Sequence, residues 1–210
     1  MGSYLNPGNK GFQESLNSEI YVDKTGLIEK TNEVLDTRQK FLCVSRPRRF
    51  GKSMAADMLA AYYERGEDSA ELFGTLKISK VESYEKNRNQ YDIIKVNMQE
   101  FLSMTHSMDE MLSMLQKYLI FDLTDHFDNV RFRDENNLIQ VMKDIYSKTK
   151  HSFVILIDEW DCLFREYQQD QEAQKKYLDF LRAWLKDKDY VALAYMTGIL
   201  PIKNMVRIRH

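Results

Sequence analysis

Cysteine, proline and glycine are all scarce in this chain, and each scarcity closes off a class of protein. Two cysteines in 210 residues cannot build a disulfide framework. Cys43 and Cys162 each adjoin an apolar run and are read as buried free thiols in a reducing compartment. With four scattered histidines beside them, a Cys/His metal centre is not expected. Three prolines and eight glycines leave no low-complexity tract, and no internal repeat is visible. No apolar run approaches membrane-spanning length, and the N-terminus lacks a basic, apolar leader. A cytoplasmic protein without membrane contact is expected. Neither sign of charge dominates: the formal net charge is −2, so no general field attracts nucleic acid. Such a contact would have to be local, through Arg46–Arg49.

What is present is the composition of a soluble globular chain, 43% hydrophobic and 30% charged, long enough for one sizeable domain. Its most informative stretch is Lys40–Met54, KFLCVSRPRRFGKSM. The apolar run Phe41–Val44 reads as a strand, and Met54–Tyr63 reads as a helix with an apolar stripe. Between them, Gly51-Lys52-Ser53 opens the helix, the order a phosphate-binding loop requires. Loop amides point at an anion, Lys52 supplies a fixed charge, and Ser53 offers a hydroxyl to Mg²⁺. Such a tripeptide alone arises by chance in about one chain in ten of this length, so the strand and helix around it carry the argument. Arg46 stands where the usual pattern has its first glycine, and Pro47 after it favours an extended Arg46. Arg48 and Arg49 read either as a solvated basic turn or as contacts to phosphate or an acidic partner.

A second motif lies at His151–Cys162, HSFVILIDEWDC. Phe153–Ile157 is a continuous, β-branched apolar run, the pattern of a strand buried on both faces, and it ends in Asp158-Glu159. Ligands of open parallel sheets bind at the carboxyl ends of strands, so both acids are expected to face the phosphate loop. Asp158 then holds Mg²⁺, and Glu159 orients or deprotonates the attacking water. The plainer alternative is a pair of acids capping the next helix. A third apolar run, Asp189–Thr197, ends in Thr197-Gly198. Thr197 is either a polar sensor of the γ-phosphate or an ordinary strand-ending threonine.

The chain resembles the bacterial AAA-ATPase-like family. The resemblance is carried by Tyr4–Gly8 (YLNPG), Tyr21–Thr25 (YVDKT), Ser45–Ser53 (SRPRRFGKS), Leu156–Asp161 (LIDEWD) and Thr197–Ile202 (TGILPI). It covers nearly the whole length, and it makes Arg46 a family trait. It implies ATP binding and hydrolysis, with Mg²⁺, by a P-loop NTPase core of the α/β class: a three-layer sandwich with a mostly parallel sheet. Members usually continue into a nuclease-like domain, and no segment here fits one. The helical lid is expected to be missing too.

Elsewhere the reading is mostly helical. Residues 1–38 form an N-terminal helical segment, with two short helices within Gly11–Leu35 and Asp23 capping the second. Residues 39–201 form the nucleotide-binding core. Tyr21 or Val22 stacks on a base or packs in the core. Glu67–Asn89 reads as a mobile connection or a short helix with a loop, and Tyr91–Met98 as a strand. Met104–Phe121, Glu135–Lys148 and Gln171–Lys186 read as amphipathic helices. The Met104, Met108, Met111, Met114 stripe is taken as core, and His126 as a solvated loop residue. By analogy with P-loop ATPases, strand 190–197 lies between strands 41–45 and 153–157, strand 91–97 lies outermost, and strand 41–45 is left at an edge. A fifth strand would have to follow Pro201.

The expected site therefore comprises Lys52, Glu159 and Thr197 as catalytic groups. Arg48, Arg49, Phe50, Gly51, Lys52, Ser53 and Met54 hold the nucleotide, and Ser53 and Asp158 hold the metal. Hydrolysis by this chain alone is expected to be slow, since no arginine outside the loop is evident for the transition state. The alternatives are a regulatory ATP-binding module with little turnover, a homo-oligomer, or coupling to a nuclease-like partner acting on nucleic acid. Phosphotransfer to an acceptor is disfavoured by the Asp-Glu pair, which suits attack by water.

Overall fold

Strand β3 (Phe153–Asp158) is buried at every residue, because helices cover both faces of the sheet it belongs to. In this computed structural model, residues 2–200 are described. Their elements run α1 (Lys10–Leu16), α2 (Gly26–Val34), β1 (Phe41–Ser45), α3 (Lys52–Tyr63), α4 (Ala70–Phe73), a 3₁₀ turn (Lys77–Lys80), α5 (Tyr84–Asn87) and β2 (Asp92–Asn97). There follow α6 (Met98–Ser103), α7 (Met108–His126), α8 (Leu138–Thr149), β3, α9 (Cys162–Glu166), α10 (Gln171–Leu185) and β4 (Val191–Gly198). The four strands are all parallel, in the order β1-β4-β3-β2. This is the expected order, with β1 at an edge and Phe41 exposed on it. The place of a fifth strand, after Pro201, lies outside the described residues.

Alternation along β3 divides the interior in two. Phe153, Ile155 and Ile157 pack with α6–α10, while Val154 and Leu156 pack with α1–α3. Full burial of each such side chain contributes about 1.5–3 kcal/mol. The β3–β4 register skips a residue, Phe153 facing Val191 and Val154 facing Leu193. Ala192 is the extra residue, which explains why Ala192 and Leu193 both pack on the α3 side.

The outer edge of β2 is clipped by the N-terminal motif. Leu5 bridges Ile94 in antiparallel fashion, Asn6 N–H donates to Ile93 O (2.8 Å), and Lys95 N–H donates to Tyr4 O (2.9 Å). The Asn6 side chain adds a donor to Asp92 Oδ1 (3.0 Å) and an acceptor for Ile93 N–H (2.7 Å). This motif is therefore an edge cover for β2.

Several expectations are corrected. Glu67–Asn89 is three short helical turns, held by buried Phe73, Ile78 and Tyr84, because its few apolar residues all reach the α3 side of the core. Asp23 does not cap α2. Its Oδ1 accepts from Thr25 N–H (2.8 Å) and Thr25 Oγ1 (2.6 Å), and its Oδ2 accepts from Lys77 N–H (2.8 Å). It ties the entry of α2 to the 3₁₀ turn. Helix α7 begins at Met108, where Ser107 accepts from Glu110 N–H, so Met104 falls outside it and is exposed. Met108, Met111 and Leu115 are core residues as expected. Helix α8 begins at Leu138, capped by Asn137. His126 is the last residue of α7, with its ring 4.0 Å from Asp92 Oδ1, so it is not a loop residue.

Candidate functional site

The loop between β1 and α3 has its left-handed residues at Arg49 (φ 69°) and Gly51 (φ 72°), and Arg46 is not among them. Arg46 instead prolongs the sheet, donating from its N–H to Gly198 O (3.0 Å), as the proline after it favours. At Gly51 a side chain would be strained by the backbone and would sit 3.0 Å from Lys24 Nζ. That lysine, from the Tyr21–Thr25 motif, donates to Phe50 O (3.3 Å) and so holds the loop from outside.

Lys52 opens α3 and is buried, its ammonium donating to the Arg46 and Pro47 carbonyls (3.2 and 3.3 Å). It also lies 3.8 Å from Glu159 Oε1. Ser53 Oγ donates to Asp158 Oδ2 at 2.5 Å. Asp158 is buried at the end of β3. Its Oδ1 accepts the Thr197 hydroxyl from the neighbouring end of β4 and the Glu159 N–H (3.0 Å). Glu159 leaves the strand with φ 52°, a conformation sparse for a non-glycine residue. The helix that follows has Asp161 at its N-cap position, with no side-chain capping bond, so Asp158-Glu159 is not the cap of the alternative reading.

These residues surround a cavity of about 440 Å³, lined by Arg48, Arg49, Gly51, Lys52, Ser53, Met54, Gln99, Glu159 and Arg165. Among the described residues, Arg48 and Arg49 form no ion pair and are exposed at its mouth. Phe50 turns away from it. It lines an adjoining cleft of about 320 Å³ with Ile20, Tyr21, Val22 and Met54, in which Ile20, Val22, Phe50 and Met54 are exposed apolar side chains.

Two lining residues were not foreseen. Arg165 Nη2 donates to Glu159 Oε2 at 2.5 Å and approaches Gln99 Oε1 at 3.5 Å. An arginine outside the loop thus does reach the site. Its four-residue spacing from Asp161 was visible in the sequence, but α9 has only five residues and no periodic pattern announces it. Gln99 sits just beyond β2, where the carboxyl-end rule for parallel strands could have found it.

Hard oxygen donors without a ready-made cage suit Mg²⁺, which keeps waters and phosphate oxygens in most of its coordination shell. Ser53 and Asp158 provide such oxygens, and the described residues contain no cluster of three acids, histidines or cysteines able to hold a metal unaided.

A parallel sheet between two helical layers, with a glycine-hinged basic loop running from its edge strand into a helix, defines a P-loop-type α/β sandwich. The chain belongs to the AAA-ATPase-like family, described as predicted AAA-ATPase, whose model matches residues 8–206. No curated protein matches it. Among the described residues no helix is long and apolar enough to cross a membrane.

Proposed function

We propose that this chain binds Mg²⁺·ATP at the 440 Å³ cavity and hydrolyses it slowly. The observation that carries the reading is the convergence of Ser53, Asp158 and Thr197, from three separate elements, on one hydrogen-bonded cluster beside Lys52 and Glu159. Lys52, the loop amides, Arg48 and Arg49 bind the phosphates, in place of the carbonyls that now occupy Lys52. Ser53 and Asp158 would hold Mg²⁺, whose charge offsets that of the phosphates. Glu159 accepts a hydrogen bond from water and aligns it, and Thr197 holds Asp158 while facing the terminal phosphate. The apolar cleft of Ile20, Val22, Phe50 and Met54 suits the flat face of a base.

The test is equilibrium binding of ATP with and without Mg²⁺, beside Lys52→Ala. Saturable binding that weakens by about a hundredfold in the variant is the expected result. Unchanged binding by Lys52→Ala would refute the site. Turnover is tested separately with Glu159→Gln, which should keep ATP and lose roughly a hundredfold or more in rate.

A second reading, a regulatory module that binds ATP and scarcely turns it over, is favoured by one contact: Glu159 is already held by Arg165. Equal, negligible turnover in the native protein and in Glu159→Gln would select it. We further propose action in the cytoplasm, in keeping with two free thiols, and, by the family resemblance, coupling to a nuclease-like partner; assembly into a homo-oligomer is a separate proposal.

A further inference from the structure

Helix α7 buries one face and presents an aromatic one outside. Leu115, Leu119 and Leu123, four residues apart, are fully buried. Phe121 stands two positions from Leu119 and from Leu123, about 200° round the helix, and is 70% exposed. Tyr118, one turn earlier, is exposed beside it. Tyr4, from the N-terminal edge cover, sets its ring 6.2 Å from that of Tyr118 and 22° from parallel. These three aromatic residues and Ile120 line a cavity of about 560 Å³, within the roughly 300–1,000 Å³ of small-molecule sites.

The charged residues lining it are Asp122, Glu135 and Lys117, and among the described residues none of them is in an ion pair. Asp122 is only 8% exposed and is half used. Its Oδ2 accepts from the Tyr4 and Leu5 N–H groups (2.7 and 3.3 Å), and no described group donates to its Oδ1. Gly2 lies so close on the Oδ2 side that a Cβ there would overlap it. A further partner must therefore come to Oδ1. The Tyr4 hydroxyl donates to Glu100 Oε1 (3.2 Å), which sets another carboxylate next to that ring. Lys117 alone opposes these acids in the lining, so the balance of charge favours a cation, which aromatic faces attract as well.

We propose that this cavity binds a small organic cation, a primary ammonium on a flat apolar body. The ammonium donates to Asp122 Oδ1 and to the Glu135 carboxylate, and the apolar body covers Phe121 and Tyr118. Covering those rings supplies the contact, and the carboxylates select the charge. The cavity shares no lining residue with the nucleotide cavity, so it stands or falls apart from the ATP reading.

Three probes that share one ring separate charge from apolar contact: 2-phenylethylammonium, the neutral 2-phenylethanol and the anion 3-phenylpropionate. Each is titrated into the full chain at pH 7 and low salt, and the ring resonances of Tyr118 and Phe121 are followed by NMR. The ammonium should saturate with a Kd of about 1 mM or below and bind at least about tenfold tighter than either of the others. Equal binding of the three, tighter binding of the anion, or no saturation by the ammonium overturns the proposal. Asp122→Asn keeps an oxygen for the Tyr4 and Leu5 amides and should weaken the ammonium by about tenfold or more. Two exposed substitutions decide the matter should that variant fold poorly. Phe121→Ser should weaken the ammonium and the alcohol alike, by about threefold or more. Lys117→Gln removes the opposing charge, so it should tighten the ammonium by about two- to fivefold and leave the alcohol unchanged. Native affinity for the ammonium in both variants would place the probe elsewhere on the protein and overturn the site.

Discussion

The Ser53 hydroxyl donates a 2.5 Å hydrogen bond to Asp158 Oδ2 across 105 positions of sequence. It joins the first turn of α3 to the end of β3, and the Thr197 hydroxyl joins β4 to the other oxygen of the same carboxylate. Three elements that meet nowhere in sequence are thus locked together at one acid. The cluster is preformed, so a ligand that bound there would meet side chains already ordered.

Asp158 is the first residue to test. Asp158→Asn keeps an oxygen for one hydroxyl but removes the charge that a divalent cation would need. ATP binding should persist while its enhancement by Mg²⁺ drops by about tenfold or more. Calorimetric titrations with and without Mg²⁺ measure this, and a fully retained metal effect would place the cation elsewhere.

Thr197→Val preserves the shape of the β4 end and deletes one donor to Asp158. Turnover should fall by about tenfold, with ATP affinity changed by no more than about threefold. Stability should drop by about 1 kcal/mol, since Asp158 keeps the Ser53 and Glu159 donors. A variant with native turnover would make Thr197 an ordinary strand end.

Glu64 carries a pH dependence unrelated to the nucleotide. Burial pushes its carboxyl up to about 7, against a partial offset from the Gly8 N–H that it accepts at 2.7 Å. An acid whose folded-state pKa is raised binds its proton more tightly when folded. Its penalty is absent below the unfolded value near 4.5, grows as pH rises, and is complete above about 7. Glu64→Gln, which keeps the acceptor, should therefore match the native protein near pH 4.5 and exceed it by about 1–2 kcal/mol at pH 8, after allowance for solvent screening. Denaturant melts at the two pH values decide this. A gain equal at both would mean that Glu64 does not titrate in this range.

The two thiols should be inert. Burial lifts Cys43 to about 11 and Cys162 to about 12, leaving almost no thiolate at neutral pH. Labelling of the folded protein at pH 8 with an aromatic disulfide should run at least about a hundredfold slower than in denaturant. A rapid first-phase reaction of one thiol would contradict this.

Much of the fold was legible because its signals are local. The run Phe153–Ile157 is apolar at every position, which only a strand covered on both faces requires, and Gly51-Lys52-Ser53 sits between a strand and a helix of ordinary composition. Asp158 and Glu159 could be placed beside the loop from their position at a strand end. Glu67–Asn89 was illegible for the opposite reason. Its helical turns are too short to show a period, and they exist because Phe73, Ile78 and Tyr84 find a core built by other segments.

By itself, the sequence determined the strands, the strand-loop-helix order around Gly51-Lys52-Ser53 and the pair of acids that follows Ile157, since residue type and spacing act over a few neighbouring positions. Tertiary structure alone decided which groups share a carboxylate. That Arg165 grips Glu159, that Thr197 and Ser53 divide the two oxygens of Asp158, and that Asp161 binds the exit of β4 all follow from how α3, α9 and the ends of β3 and β4 pack. A hydrogen bond is lost within about an ångström of displacement, and no rule of local spacing fixes positions that closely between elements set by a whole core.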